Sequence, residues 1–442
     1  MRSLKFFPFF LFIAVFTQVH GQDRAYAKQV IDTLASPSMH GRGYVNNGDK
    51  IAAKYITDQY KSFNLIPFNI AGLYTQNFSF PINTFPGKMS VTIKAGDRAT
   101  NNLVPGEDFI VQCDAPSVKG HFKVVLIDSA LVYDDNKLDA FKKLDKTKCF
   151  VMVDTVGVRS KMKLSYMNDI MQYRIGIKGV IIPLKPIAMT STCNKLEPMD
   201  MSQVQSTVPV IKVDYKWKYS GSIDVNIKAK FLKSYTSQNV IGYVRGSTQP
   251  DSFIVFTAHY DHLGQMGKDT YFPGANDNAS GIAMLLSLAR YYSQPAHQPK
   301  YSIAFIAFSG EEVGLLGSGF YIQHPLFPLK EIKFLVNMDI LGTGDEGITV
   351  VNATEFPKQF DSLKALNTRG NYLVTVKPRG KAAISDHYFF TEARVPSFYI
   401  YTLGGLKAYH DVCDRRETLP LTKFEDLFSL LRDFTDKMMN SV

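Results

Sequence analysis

Cysteine is scarce: Cys113, Cys149, Cys193 and Cys413 are the four in a chain of 442 residues. No two stand as C-x-x-C, which excludes a thioredoxin-like redox motif and argues against a thiolate zinc site. Four cysteines permit three pairings, and spacing does not choose among them. Small buried residues with at most one or two bridges are expected. Long apolar runs are also missing. The run 6–16 holds eleven residues, well short of the ~20 needed to cross a bilayer, and no later stretch is long and apolar enough. No G-x-S-x-G is present, which disfavours a serine hydrolase. None of the nine histidines is followed by Glu, so the helical H-E-x-x-H zinc motif is absent. No aromatic–basic interleaving points to nucleic acid, and no nucleic-acid partner is expected. Charged residues at 20% and apolar residues at 45% exclude a disordered chain, a collagen-like repeat and a coiled-coil rod.

At the amino terminus Arg2 and Lys5 precede the apolar run, and Val19 and Gly21 sit at −3 and −1 to a cut before Gln22. This is the layout of a secretory signal peptide over 1–21. The mature chain is expected to be exported, secreted or periplasmic, with no integral membrane segment. No cysteine lies near the cut, so a lipid anchor is not expected.

Three segments differ in pattern. Residues 26–34 and 48–63 read as helices. Residues 81–235 hold short β-rich runs at 122–127, 150–153, 179–182 and 208–213, separated by polar and Pro-containing stretches. This block carries 23 Lys or Arg against 15 Asp or Glu, out of a net charge of +10 for the whole chain; a solvated basic face is the plain reading. From Asn239 onward the runs 253–258, 303–308, 334–338 and 396–401 are short, nearly continuous and β-prone, as buried parallel strands are. Between them Ile282, Leu285, Leu286 and Ala289 fall on one helical face, and Thr422-x-x-Glu425 is the form of a capping box opening a last helix. The expected fold class is α/β, a mostly parallel central sheet flanked by helices with a smaller β-rich insert. The expected domains are 22–80 with 236–442, and the insert 81–235.

Ligands in such sheets gather at the carboxyl ends of strands. There the first strand ends in His259 and Asp261, two apart and so on one face if the strand persists. Asp277 is the one charge in a small-residue run before a helix. Glu311 and Glu312 follow the strand 303–308, Asp339 follows 334–338, and His410 follows Gly404 and Gly405. Each segment alone has a bland reading as a turn, an N-cap or a helix-dipole contact. Together they place His, Asp, Glu, Asp and His at successive strand ends. A carboxylate shared between two metals, with two other ligands each, is what a paired-metal hydrolytic site needs. Nitrogen and oxygen donors without thiolate suit zinc.

The strings AHYDH, GANDNASG, SGEEVGLLGS, NMDI and YHDVCD, in this order, resemble the aminopeptidase Y and aminopeptidase S family of two-zinc exopeptidases. Glutamate carboxypeptidase II and the glutaminyl cyclases are relatives of that family. SDHYFF, with Asp386 and His387, and the early string SPSMHGRGYVNNGDKIAAKYI are similar to further family segments. The block 81–235 looks like a protease-associated insert, from GIKGVIIP followed by STVPVIKV. The resemblance implies one zinc on His259 and Asp339, another on Glu312 and His410, and Asp277 bridging both. It implies Glu311 as general base and Asp261 as the residue orienting His259. The implied activity is hydrolysis of the amino-terminal bond of peptide substrates. A glutaminyl-peptide cyclase or a non-catalytic binding module on the same fold are the alternatives. The family usually continues its last His as His-Thr-x-x-Asp; here Asp411 replaces the Thr, while Asp414 matches. His262 is read as structural and His387 as cleft wall.

Overall fold

The computed structural model describes residues 24–440 apart from 69–70, 95–100, 174–175, 190–192, 197–198 and 220. The expected leader, 1–21, lies outside the described residues.

The runs expected as buried strands form the middle of an eight-stranded sheet. Its spatial order is Thr75–Thr84, Lys230–Val244, Tyr301–Phe308, Gln249–His259, Ile332–Met338, Ser397–Leu403, Gly347–Val351 and Val376–Pro378. The four from Tyr301–Phe308 to Ser397–Leu403 are parallel. Every residue of Tyr301–Phe308 is buried, which is why it shows no alternation of apolar and polar residues. Side chains alternate across the sheet. Ile254, Phe256 and Ala258 pack on one face with the helices Arg24–Leu34, Gly48–Ser62, Gly281–Tyr292, Pro357–Gly370 and Phe424–Asn440. Phe253 and Val255 pack on the other with Tyr321 and Phe390, from Leu316–Gln323 and His387–Glu392. Helix Gly281–Tyr292 is buried almost all round, sandwiched between the sheet and its neighbours. The expected capping box does not form. The last helix begins at Phe424, and the Thr422 hydroxyl turns instead to Asp345 (3.5 Å).

A second eight-stranded sheet is built from 90–227, in the order Asn101–Leu103, Ser90–Lys94, Gly221–Ile227, Val118–Ile127, Cys149–Val153, Gly179–Leu184, Val210–Asp214 and Phe109–Val111. Its last four long strands before the edge run parallel. The β-rich reading of this block was incomplete. Helices Asp135–Lys143 and Lys161–Tyr173 cover one face through Phe141 and Met167. Their short amphipathic turns are masked in sequence by dense Lys and Asp. The other face shares a hydrophobic cluster with Leu263, Met266, Phe272, Ala408, Val412 and Cys413 of the first sheet's loops. The strands Thr75–Thr84 and Lys230–Val244 are antiparallel neighbours and carry the chain out and back. Phe80 is the register partner of Tyr235, so positions 81 and 235 lie within paired strands.

Candidate metal centre

Four strands of the main sheet deliver acidic or imidazole groups to one end. His259 closes Gln249–His259, Asp339 follows Ile332–Met338, Glu311 and Glu312 follow Tyr301–Phe308, and His410 lies in the loop after Ser397–Leu403. Asp277 stands at the start of the helical segment before Gly281. The structure brings all six side chains together.

Asp277 is the hinge of the arrangement. Its Oδ1 lies 3.3 Å from His259 Nε2 and its Oδ2 lies 3.1 Å from His410 Nε2. On the first side Asp339 Oδ1 is also 3.3 Å from His259 Nε2. On the second, Glu312 Oε2 is 3.0 Å from His410 Nε2. Two half-sites therefore share one carboxylate, His259 with Asp339 and His410 with Glu312. Glu311 sits with His259 and Asp339, one ligand atom from each lying within 4.8 Å of the others.

The local sequence explains the placement. Gly274 has φ +58, and a Cβ there would meet the Asp277 carbonyl at 2.2 Å, so only glycine fits. Asn278 Oδ1 accepts the Gly281 amide at the helix start (2.9 Å), but the Asn and Ser residues of this run do more than cap. Asn278 donates to the Met338 carbonyl (3.0 Å), the Leu341 amide donates to Ser280 (2.7 Å) and the Gly342 amide to Asn276 (2.8 Å). The Asp277 loop is thus stitched to the segment after Asp339. Asp414 accepts the amides of Asn276 and Asp277 at 2.8 and 2.9 Å. Asp339 is oriented by a buried chain in which Ser385 donates to it (3.2 Å), Asn337 to Ser385 (2.8 Å) and Thr257 to Asn337 (2.6 Å).

Asp261 is placed differently from the expectation. Its carboxylate is 3.8 Å from His259 Nδ1, and the closer contact is its main-chain carbonyl, 3.2 Å away. The carboxylate instead accepts the Tyr44 hydroxyl (2.8 Å) and the amides of Glu311 and Glu312 (3.2 and 3.4 Å). It therefore fixes the turn that aims the two glutamates.

Three further residues surround these groups. Arg42 is fully buried and donates to the carbonyls of Tyr260, Leu34, Pro273, Gly274 and Asp277. It lies in the quoted lead-in string, as does Tyr44, but no local pattern distinguishes a buried Arg from an exposed one. His262, read as structural, brings Nδ1 to 2.6 Å from Glu312 Oε1, and its buried Nε2 has no partner among the described residues. Asp386 is buried with neither oxygen at hydrogen-bonding distance of a partner among the described residues, the nearby Ser318 hydroxyl turning to the Leu315 carbonyl (3.2 Å).

The electrostatics follow from crowding. Burial pushes the Asp277 carboxyl up, but hydrogen bonds from His259 and His410 outweigh it and hold Asp277 well below the usual range. Burial opposes the charged form of His410, yet Glu312 and Asp277 lift it to about 11. Burial likewise works against Glu312, and the His410 charge brings it to about 2. Burial drives Glu311 well above the ordinary carboxylate range; His259 opposes, and Glu312, Asp386 and Asp339 add to the rise. Burial raises Asp386 to about 7 against the pull of His259.

Four acidic side chains around two imidazoles in one buried cleft repel one another unless cations are present. The donors are nitrogen and oxygen with no thiolate, and the shared carboxylate presents one oxygen to each half-site. This donor set fits a pair of zinc ions.

The family model described as peptidase family M28 matches residues 239–435. Aminopeptidase YwaD of Bacillus subtilis is 32% identical over 199 residues, 43% of this chain and 42% of that protein. A probable zinc metalloprotease of Pyrenophora tritici-repentis is 40% identical over 116 residues, 25% of this chain and 24% of that protein. The chain thus spans less than half the length of the curated relatives it matches. Among solved structures, the peptidase M28 precursor from Shewanella amazonensis aligns over 95% of this chain and 94% of its own, with TM-score 0.67 and 16% identity. The zinc aminopeptidase BSAP of Bacillus subtilis aligns over 93% and 94%, with TM-score 0.63 and 20% identity. These likenesses show a shared fold over both sheets.

Proposed function

We propose, from the match of residues 239–435 to the peptidase family M28 model, that the protein is an exported, zinc-dependent aminopeptidase. It hydrolyses the amino-terminal bond of peptides. The observation that carries this reading is the division of the Asp277 carboxylate, Oδ1 toward His259 and Oδ2 toward His410.

His259 and Asp339 would hold one ion and Glu312 and His410 the other, with Asp277 shared between them. A zinc pair bound there supplies positive charge that acidifies a water and polarises the scissile carbonyl. Glu311 is the general base: its carboxylate takes the proton from the attacking water and passes it to the leaving amine nitrogen. Asp261 keeps Glu311 in register by accepting its amide. His262 holds Glu312 through Oε1 and leaves Oε2 facing His410. The leader read over 1–21 and the Cys193–Cys413 bridge both support export, since bridges persist in oxidising compartments. The block 81–235 is proposed to be a protease-associated insert.

The test is metal analysis of the purified chain together with a panel of free and amino-blocked peptides. Two zinc ions per chain are expected, with amino acids released from free peptides only and activity lost to a chelator. One tightly bound zinc with cyclisation of Gln-peptides and no amino acid release would overturn the reading.

A further inference from the structure

His410 differs from the other five groups of the centre in how it is held. His259, Asp339 and the glutamates follow strands in the middle of the sheet, and Asp277 is stitched to the segment after Asp339. His410 lies in a loop after Ser397–Leu403 and adopts φ +52, a left-handed conformation that non-glycine residues keep only when their surroundings impose it.

Those surroundings come from the second sheet's block. The Met199 amide donates to the His410 carbonyl (2.9 Å). Lys195 Nζ donates to the Tyr409 carbonyl (3.1 Å) and lies 3.4 Å from Asp411 Oδ2. That pair is enclosed, its side chains 10% and 3% exposed. Cys193 is bonded to Cys413 across 220 residues of sequence. Asp200 brings a carboxylate oxygen to 3.9 Å from His410 Nδ1, the nitrogen turned away from Asp277 and Glu312. The contacts thus fall on residues 409–411 and 413, directly around the imidazole.

Asp411 is the residue that replaces the family's usual Thr. Its Oδ2 accepts the Tyr409 amide (3.0 Å) and its Oδ1 the Cys413 amide (2.7 Å). A Thr hydroxyl could close such a turn. It could not also neutralise the enclosed Lys195, whose charge needs a partner when it leaves water. The departure at 411 is therefore matched to a lysine 216 positions earlier, in another sheet's block.

We propose that Cys193, Lys195 and Met199 are the positioning element for His410: the Cys193–Cys413 bridge and the Lys195–Asp411 pair hold the imidazole where it completes one of the two metal half-sites. Among the described residues no hydrogen bond or ion pair joins this element to His259 or Asp339, so that half-site is independent of it. The proposal rests on the two-metal reading above. It makes the block 81–235 a structural part of the centre.

The full-length oxidised chain is stripped with a chelator and titrated with Zn²⁺ by calorimetry, and with Co²⁺ by absorbance. Wild type, Lys195→Met, Lys195→Arg and the double variant Cys193→Ser with Cys413→Ser are compared. Wild type is expected to take two ions. Lys195→Met and the double cysteine variant should bind one ion as wild type does and the other about 10–100-fold more weakly, the usual effect of removing a support behind a metal ligand. Lys195→Arg, which keeps the charge, should recover most of the loss. The Co²⁺ spectrum of the first ion should be unchanged. Two ions at wild-type affinity in both defective variants would overturn the proposal. So would equal weakening of both ions, which is general loosening. A wild-type chain that takes fewer than two ions would overturn the two-metal reading and the proposal with it.

Discussion

Replacing Arg42 with Met should destabilise the protein and loosen the metal centre together. The guanidinium is enclosed and donates five hydrogen bonds, to the carbonyls of Tyr260, Pro273 and Gly274 at 2.8 Å, Leu34 at 3.0 Å and Asp277 at 3.1 Å. Methionine fills similar space and donates nothing. Gly274 keeps a second donor, the Ala279 amide at 3.2 Å. The other four carbonyls lose the guanidinium, and a buried acceptor left without a partner costs about 1 kcal/mol at the low end of the measured range. That amounts to about 4 kcal/mol. Burial already lowers the Arg42 pKa to about 10, against the attraction of Asp277, Asp414, Asp261 and Glu312. Removing a poorly solvated charge therefore returns part of the loss, and about 3 kcal/mol is the net expectation, a large share of a total near 5–15 kcal/mol. The assay is urea unfolding followed by far-ultraviolet circular dichroism, with linear extrapolation. Arg42→Lys should recover only a minor part, because one ammonium cannot fork toward carbonyls that lie on several sides. A loss below about 1 kcal/mol for Arg42→Met, or full recovery by Lys, would refute the reasoning.

Glu311→Gln should retain both metals and the fold while kcat falls by about 10²–10⁴-fold; retention of more than a tenth of wild-type kcat would show the base to be another group. His262→Ala should weaken one ion by about 10–100-fold, since it removes the donor that fixes Glu312 Oε1, and calorimetry showing two ions of unchanged affinity would contradict this. Asp49 supplies a pH test away from the centre. Burial lifts its carboxyl to about 6, against hydrogen bonds from Tyr235 and Ser237. The unfolded chain releases this proton near ~3.9, so between about pH 4 and 6 the folded state binds more protons, stability falls as pH rises, and it levels off above. The span is about 3 kcal/mol at 1.36 kcal/mol per pKa unit. Asp49→Asn should remove it, and a stability difference between the two proteins that stays constant from pH 4 to 7 would count against the assignment.

The buried strands and the chemistry at their ends are written locally. Runs such as 303–308 and 334–338 are continuous because both faces are covered, and an acidic residue or histidine after such a run marks the sheet's reactive edge. Hence His259, Asp277, Glu311, Glu312, Asp339 and His410 could be chosen before any coordinates were known. Which carboxylate faces which imidazole came from the family resemblance and not from spacing. Asp261 stands two residues from His259, and spacing suggested a side-chain contact. The strand ends at His259, so the Asp261 carboxylate leaves that face and accepts the Glu311 and Glu312 amides instead.

Local sequence carried the fold class and the residue types that meet at the sheet's edge. These depend on short-range pattern, which a window of ten residues contains. Only the tertiary structure decided that Cys193 pairs with Cys413 rather than with Cys113 or Cys149, that Arg42 ties Leu34 to the Asp277 loop, and that Lys195 faces Asp411. Each of these joins residues far apart in the chain, 220 positions for the bridge and 235 for Arg42 and Asp277. Such partners are selected by how two sheets and their loops pack, and packing is a property of the whole chain that no local pattern records.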